Sequence, residues 1–444
     1  MSSSDTTLAP PGPADTRRRR AITAACIGNF IEYYDFVIYG YFAAVIAKLF
    51  FPAENETVSL MLTFAAFAVS YVARPLGAVV FGYLGDRFGR RLPLTIAILM
   101  IATCTTVIGL TPTYAAIGIA APIIITVARL LQGISVGGEY GGALAFVSEY
   151  APDRRRSFYT GWITFSIGLA TLVGAGVASL LTAGLSQADL ESWGWRLPFL
   201  VGMPLGLVGL YLRLRLEETP HFAKVQQHLA VEKAPLRTGM RREWRSLLLG
   251  MGLFAAPVYT IYIYFIYSPT YLTRELGYTA AEGQVANLIA LAFYCVLLPF
   301  GARAGDRFGR RPMLLIGAAA VTLVTFPAFT ALGSGNIVSA TLLLVLTAIC
   351  FVPLSSVNLA AIAEIFPTTF RYTGASLSLN IPATLLGGTA PLLATLLIAQ
   401  TGVLAAPAWL VLAGGVVTFA AAVVYRETGG RALRQSADDR SSAP

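Results

Sequence analysis

Charge is what this chain has least of. Asp, Glu, Lys and Arg make up 12% of its 444 residues, about half the share of a soluble domain. Apolar residues reach 56%, with mean hydropathy +0.67, which excludes a water-soluble globular chain and a disordered one. Histidine is scarcer still: His221 and His228 are the only two, and both lie in one polar stretch. Cys26, Cys104, Cys295 and Cys350 stand singly inside apolar runs, with no CxxC pair. No metal site or disulfide frame is therefore expected. The chain also lacks a nucleophile–base pair and a phosphate-cradling loop. It reads as a protein with no cofactor and not as an enzyme.

What is present is apolar runs of membrane length, about 20 residues each. Twelve can be traced, near 21–47, 57–84, 92–110, 113–148, 157–183, 196–214, 246–272, 283–303, 312–332, 336–362, 371–400 and 404–425. They are too long for spanning strands, and a backbone in lipid must satisfy its own hydrogen bonds, so they are expected to be helices. The predicted fold class is an all-α polytopic membrane protein of two six-helix halves, 21–214 and 246–425. Segment 215–245 would be the linker, polar and basic, carrying an amphipathic helix along the membrane surface. Residues 1–20 read as a disordered Ser/Thr/Pro-rich lead, and 426–444 as a polar tail. Arg17–Arg20 before the first run imitate a signal peptide, but that run is far longer than an h-region and holds Glu32 and Asp35, so it is expected to be retained.

A net charge of +9 would suit nucleic acid, but its placement argues for lipid. An even number of spans puts both termini and every second loop on one side. Most Lys and Arg residues fall there: Arg17–Arg20, the 81–91 and 301–311 loops, Arg154–Arg156, the 213–245 segment and the tail. Both termini are thus predicted to be cytoplasmic. The chain is predicted to be a multi-pass cell-membrane protein whose macroscopic partner is the bilayer, with no nucleic acid bound.

The most informative pattern is a duplication. FGYLGDRFGRR (Phe81–Arg91) recurs 220 residues later as GARAGDRFGRR (Gly301–Arg311). Gly85, Asp86, Arg87, Arg90 and Arg91 thereby match Gly305, Asp306, Arg307, Arg310 and Arg311. The glycines permit tight turns and close helix approach, and each carboxylate can take charge-assisted bonds from an arginine or a helix N-terminus. A second duplication, at an offset of 215, matches Glu149, Pro152 and Arg156 with Glu364, Pro367 and Arg371. Both sets are read as gating latches on the cytoplasmic side. Paired halves usually enclose a site that opens to one side at a time, so the chain is read as a transporter.

Charges at membrane depth are costly and mark function. The convincing ones are Glu32, Asp35, Arg74, Arg129 and Glu139, all in the first half. Proton coupling is expected at Asp35, then Glu139 and Glu32; for Asp35 the alternative is a fixed buried ion pair. Arg74, with its planar fork, suits a substrate carboxylate, the alternative being that it neutralises Asp35. Arg129 is expected to organise Glu139 or the gate. On the fourth run Arg129, Gln132, Val136 and Glu139 fall within about 80° of one another on a helical wheel, while Gly133, Gly137 and Gly141 form a different, close-packing face. Tyr34, Arg129, Gln132, Tyr262 and Asn358 complete the expected substrate site beside Arg74.

These motifs resemble the major facilitator superfamily, whose paired loops take the GxLGDRxGRR form; here the second copy departs, with Arg303 and Ala304 before Gly305. GNFIEYYDFVIYG (Gly28–Gly40), ARPLG (Ala73–Gly77), RLLQGISVGGEYGG (Arg129–Gly142), SEYAPDRRRSFYTGW (Ser148–Trp162) and GWRLPFLVG (Gly194–Gly202) are similar to the metabolite:proton symporters. That family includes carriers for α-ketoglutarate, citrate, shikimate and proline/glycine betaine. The resemblance implies midplane sites and symport of a small organic acid or zwitterion with protons into the cytoplasm. The chain is separately expected to work as a monomer. The tail after Tyr425 shows no heptads, an expectation against osmosensing. The rival readings are a proton-coupled exporter and a non-transporting membrane sensor.

Overall fold

A computed structural model describes residues 13–53, 56–89, 91–214, 236–332 and 336–435. Arg90, both histidines and most of the 215–245 segment, the expected surface helix included, lie outside the described residues. Only its end, 236–245, is described, and Leu236–Arg242 forms a short helix there.

The described residues form helices and no strands. The long helices are α1 (Pro13–Tyr41), α2 (Glu56–Phe88), α3 (Arg91–Leu110), α4 (Ala120–Tyr150), α5 (Arg156–Gly184) and α6 (Gly202–Leu214). They continue as α7 (Trp244–Thr260), α8 (Ala280–Phe308), α9 (Arg310–Leu332), α10 (Ile337–Ser355), α11 (Arg371–Pro382) and α12 (Pro407–Val424). Ten helical stretches among the described residues are long and apolar enough to cross a membrane. Outward-facing large apolar side chains, such as Val72, Leu323 and Val424, are at least 72% exposed, as a lipid-bathed surface requires.

Several runs that read as single spans are broken. The α7 run passes through a π-helical stretch, Ile261–Tyr267, before Ser268–Arg274, and the α11 run through another at Ala383–Gly387. Pro257 and Pro382 precede these stretches, and a proline inside a helix removes a backbone donor and clashes with the preceding turn. The 113–148 run begins as a separate short turn, Tyr114–Ile117. Gly118, at φ 58°, holds the break in a conformation that favours glycine.

The packing repeats as the sequence does. Helix α2 packs on α4 as α8 packs on α10, α1 on α5 as α7 on α11, and α3 on α6 as α9 on α12. Further contacts join the copies, chiefly α5 with α8, α2 with α11 and α4 with α11. The duplicated loops turn at Gly89 and Gly309, with φ of 100° and 99°.

Candidate functional site

Two polar assemblies are built on this frame. One lies midway along α1, α2 and α4; the other lies at the end of the bundle carrying the duplicated loops.

Close packing of α4 on α2 sets up the first. A Cβ on Gly133 would lie 2.0 Å from the Ser70 carbonyl oxygen, and one on Gly137 2.0 Å from that of Arg74. Only glycine allows this approach, so this face of α4 meets the α2 backbone while Arg129 and Gln132 turn toward α1 and α3. Gln132 donates to the Asp35 carboxylate at 2.7 Å and to Thr105 at 3.1 Å, and Arg129 donates to Gln132 at 2.9 Å. The Arg129 guanidinium stands 3.6 Å from the same Asp35 oxygen and 3.6 Å from the centre of the Tyr39 ring. Asp35 and Arg129 are buried.

Arg74 belongs to a neighbouring cluster. Its guanidinium carbon lies 4.1 Å from the centre of the Tyr71 ring and 4.7 Å from that of Phe36. The Tyr71 hydroxyl shares a 2.6 Å hydrogen bond with the hydroxyl of Tyr262, which joins α2 to the π-helical stretch after α7. Tyr71, Tyr262, Tyr33 and Glu32 are the polar and charged neighbours of Arg74. The rings continue, with Tyr33 edge-on to Tyr140 and Tyr140 against Phe254.

The arrangement brings some of the expected site residues together and separates others. The arginine facing Asp35 is Arg129, expected to serve Glu139 or the gate, while Arg74 lies among aromatic rings. Glu139 is fully buried two helical turns beyond Gln132, about 10 Å along α4. Tyr34 packs with Trp195 and Phe199 in a second apolar cluster and reaches the Pro198 carbonyl at 3.5 Å. It sits one residue before Asp35, and adjacent helical positions point about 100° apart. Asn358 also lies elsewhere. Its carboxamide oxygen caps the backbone of Leu359, and its neighbour Val357 packs on Gly305, beside Asp306. Asn380 takes the bridging place instead, donating to the Gly137 carbonyl at 2.8 Å.

The second assembly is a crossed exchange. Neither α5 nor α11 has a side-chain cap from its own N-cap residue, Arg155 or Phe370. Exposed helix N-termini leave orphan N–H groups. Asp306 accepts from Ser157 N and Phe158 N, both at 2.9 Å. Asp86 accepts from Tyr372 N at 3.2 Å and Thr373 N at 3.0 Å. Each duplicated carboxylate thus caps a helix of the other copy. The acid-Pro-x-x-x-Arg motifs also cross: Arg371 pairs with Glu149 at 2.9 Å and Arg156 with Glu364 at 2.7 Å. Arg310 adds contacts to Asp306 at 3.3 Å and Glu364 at 3.2 Å. Gly85 is required here, since a Cβ would lie 1.7 Å from the Tyr372 ring.

Not every arginine of the loops takes part. Arg87 and Arg307 are exposed and lie over their neighbours Phe88 and Phe308. Arg91 reaches the Leu214 carbonyl, and Arg311 that of Val423. A contribution that sequence reasoning missed comes from the tail. Glu427 accepts from the backbone of Arg310, Arg311 and Gly429. Thr428 donates to Glu364, and the Arg434 carbonyl accepts from the N–H and hydroxyl of Thr368 and from Arg371. The Arg434 guanidinium pairs with Glu243 at 3.3 Å.

A family model described as "Sugar (and other) transporter" matches residues 21–239 and 223–437. The chain belongs to that family. It is a transporter of the major facilitator superfamily, resident in the cell membrane as a multi-pass protein, and not an enzyme. Among relatives of this family member, the proline/betaine transporter of Escherichia coli is 38% identical over 95% of this chain and 86% of its own length. The citrate-proton symporter of Klebsiella pneumoniae is 34% identical over 92% of each. Of the solved structures, the proton:xylose symporter XylE bound to 6-bromo-6-deoxy-D-glucose superposes with a TM-score of 0.78 at 17% identity, covering 94% of this chain and 98% of that one. That likeness speaks to the fold, which is the one expected from the duplicated loops.

Proposed function

We propose that this transporter is a proton-coupled symporter that carries a small zwitterionic metabolite into the cytoplasm by alternating access. It would do so as a monomer of twelve spans in two halves, 21–214 and 246–425, with both termini cytoplasmic. The basic residues of the latch end support that orientation. On that orientation, with both crossed latches engaged, this conformation would be the one closed to the cytoplasm.

The observation that carries the reading is the separation of two charged clusters at mid-membrane. Asp35 with Arg129, Gln132 and Thr105 forms a compact acid–base unit whose carboxylate can alternate between a proton and the arginine. Arg74, with Tyr71 and Tyr262 beside it and Glu32 and Tyr33 within electrostatic reach, offers one cationic pole, one anionic pole and aromatic faces. A zwitterion matches that pattern: its carboxylate suits Arg74, and its cationic nitrogen suits Glu32 and the rings. The proline/betaine relatives agree in substrate chemistry. A tricarboxylate would call for more than one cation, although the citrate-proton relative keeps a plain organic acid as the second reading.

The test is uptake into proteoliposomes under an inward proton gradient, using proline, glycine betaine, citrate, α-ketoglutarate and shikimate, with a proton-sensitive dye trapped inside. Accumulation of a zwitterion with internal acidification supports the reading. Accumulation of a polycarboxylate alone moves it to the second, and efflux against the gradient defeats both.

A further inference from the structure

The two clusters meet at one side chain that neither needs for its own chemistry. Phe36 follows Asp35 on α1, and its ring is approached by both buried arginines. The guanidinium carbon of Arg74 lies 4.7 Å from the ring centre and that of Arg129 5.9 Å away, both inside the roughly 6 Å reach of a cation–π contact. The ring also stands edge-on to Tyr71 at 4.9 Å, and Tyr71 holds Tyr262. Tyr39, one turn along α1, takes the closer place over Arg129. Two like charges thus share a dry aromatic spacer, and Phe36 is buried in its turn.

We propose that Phe36 is the positioning residue that couples proton binding at Asp35 to substrate binding at Arg74. The inference rests on the symport reading above. With Arg74 unpaired by substrate, its charge at the shared ring keeps Arg129 over Asp35, and both charges hold the carboxylate ionised in a region of low dielectric, Arg129 directly and Arg74 through Arg129. A substrate carboxylate on Arg74 cancels one of those charges and draws its guanidinium off the ring. Arg129 can then settle further onto Phe36 and Tyr39, away from Asp35, and a proton takes its place on the carboxylate. Gln132 and Thr105 keep the protonated group hydrogen-bonded. Each ligand thereby favours the other, as linkage requires. The ring is essential because water in its place would screen the field and give protons a route past the substrate.

The test is a stoichiometry measurement on the full-length protein in proteoliposomes, with radiolabelled proline and glycine betaine as probes and a trapped proton-sensitive dye. Phe36→Leu is expected to lower the protons moved per substrate at least about two-fold, or to open a substrate-independent proton flux of similar size. Substrate counterflow should fall by less than that. Phe36→Tyr, which keeps the ring, is expected to restore the wild-type ratio and guards against a folding defect in the leucine variant. A wild-type ratio in Phe36→Leu without leak, or the same loss of ratio in Phe36→Tyr, overturns the role of Phe36 while leaving symport intact. Wild-type uptake with no proton movement overturns the symport reading, and the coupling role with it.

Discussion

Glu149 and Arg371 meet at 2.9 Å across 222 residues of sequence, both side chains wholly buried. Arg371 also donates to the carbonyls of Ala363, Phe366 and Arg434, so every face of the guanidinium is occupied. Removing one member of such a pair strands a charge in low dielectric and costs about 3–5 kcal/mol, whereas removing both costs less. Glu149→Gln is therefore expected to disfavour the closed latch strongly, and Glu149→Gln with Arg371→Gln to disfavour it less. The measurement is alkylation of a cysteine placed at Ser376, which is buried between α4 and α11, in a background with the four native cysteines replaced by serine. Labelling should quicken in the single variant and partly recover in the double. Equal rates in all three would show that the pair does not hold the latch.

Gly85 gives a steric version of the same experiment. A methyl group there would lie 1.7 Å from the Tyr372 ring, a collision with a side chain that is itself fully buried. Gly85→Ala is expected to keep the protein folded in its latch-open form and to stop net uptake. Tyr372→Ala in the same chain should return part of it by clearing the ring. Failure of the second change to improve uptake at all would place the fault in the α2 backbone instead.

Much of this was legible in the sequence because the physics was local or repeated. The helical class follows from apolar run length, and the existence of duplicated loops from two offsets, 220 and 215; that each copy pairs with the other came from the packing. What could not be read was direction across space. Sequence spacing puts Arg129 on the face of Glu139, but only the packing of α4 on α1 shows it meeting Asp35. Tyr71 and Phe36 carried no signal beyond sitting near Arg74 and Asp35, since aromatics in apolar helices are usually packing residues. Tyr34 adjoins Asp35 in sequence, yet a helix turns adjacent residues apart, and its ring packs with Trp195 and Phe199. The tail looked like a polar end; its docking depends on Glu427 finding N–H groups 116 and 117 residues away.

That docking should depend on pH. Burial alone would raise the Glu427 carboxyl, but backbone N–H groups of Arg310, Arg311 and Gly429, with the Arg310 charge, outweigh it and hold the group below its ordinary 4.5. A carboxylate with a depressed value when docked contributes docking stability above its free value and loses it as pH falls through the lowered one. Tail docking is thus expected to be constant from neutral pH down to about the free value of 4.5 and to weaken below it. Hydrogen exchange at the Arg310, Arg311 and Gly429 amides, corrected for intrinsic rates, reports this directly. Glu427→Gln should abolish the step and raise exchange at neutral pH. An acid step that survives the substitution would assign it to another group.

The sharpest demand falls on Asp35. If its carboxylate alternates between a proton and Arg129, then Asp35→Asn fixes the neutral state, with Gln132 still able to bond the carboxamide. Substrate exchange does not need the proton to leave, so counterflow of the transported zwitterion should persist within roughly ten-fold of wild type. Accumulation against a gradient does need it, and should vanish at any imposed pH difference. A structural ion pair predicts a different pattern, because an unpaired Arg129 would be left buried and both activities would fall together with the yield of folded protein. Measuring counterflow and gradient-driven uptake in one preparation separates the two. Continued accumulation in Asp35→Asn would move the proton to Glu139 or Glu32, which the same pair of measurements can then address in turn.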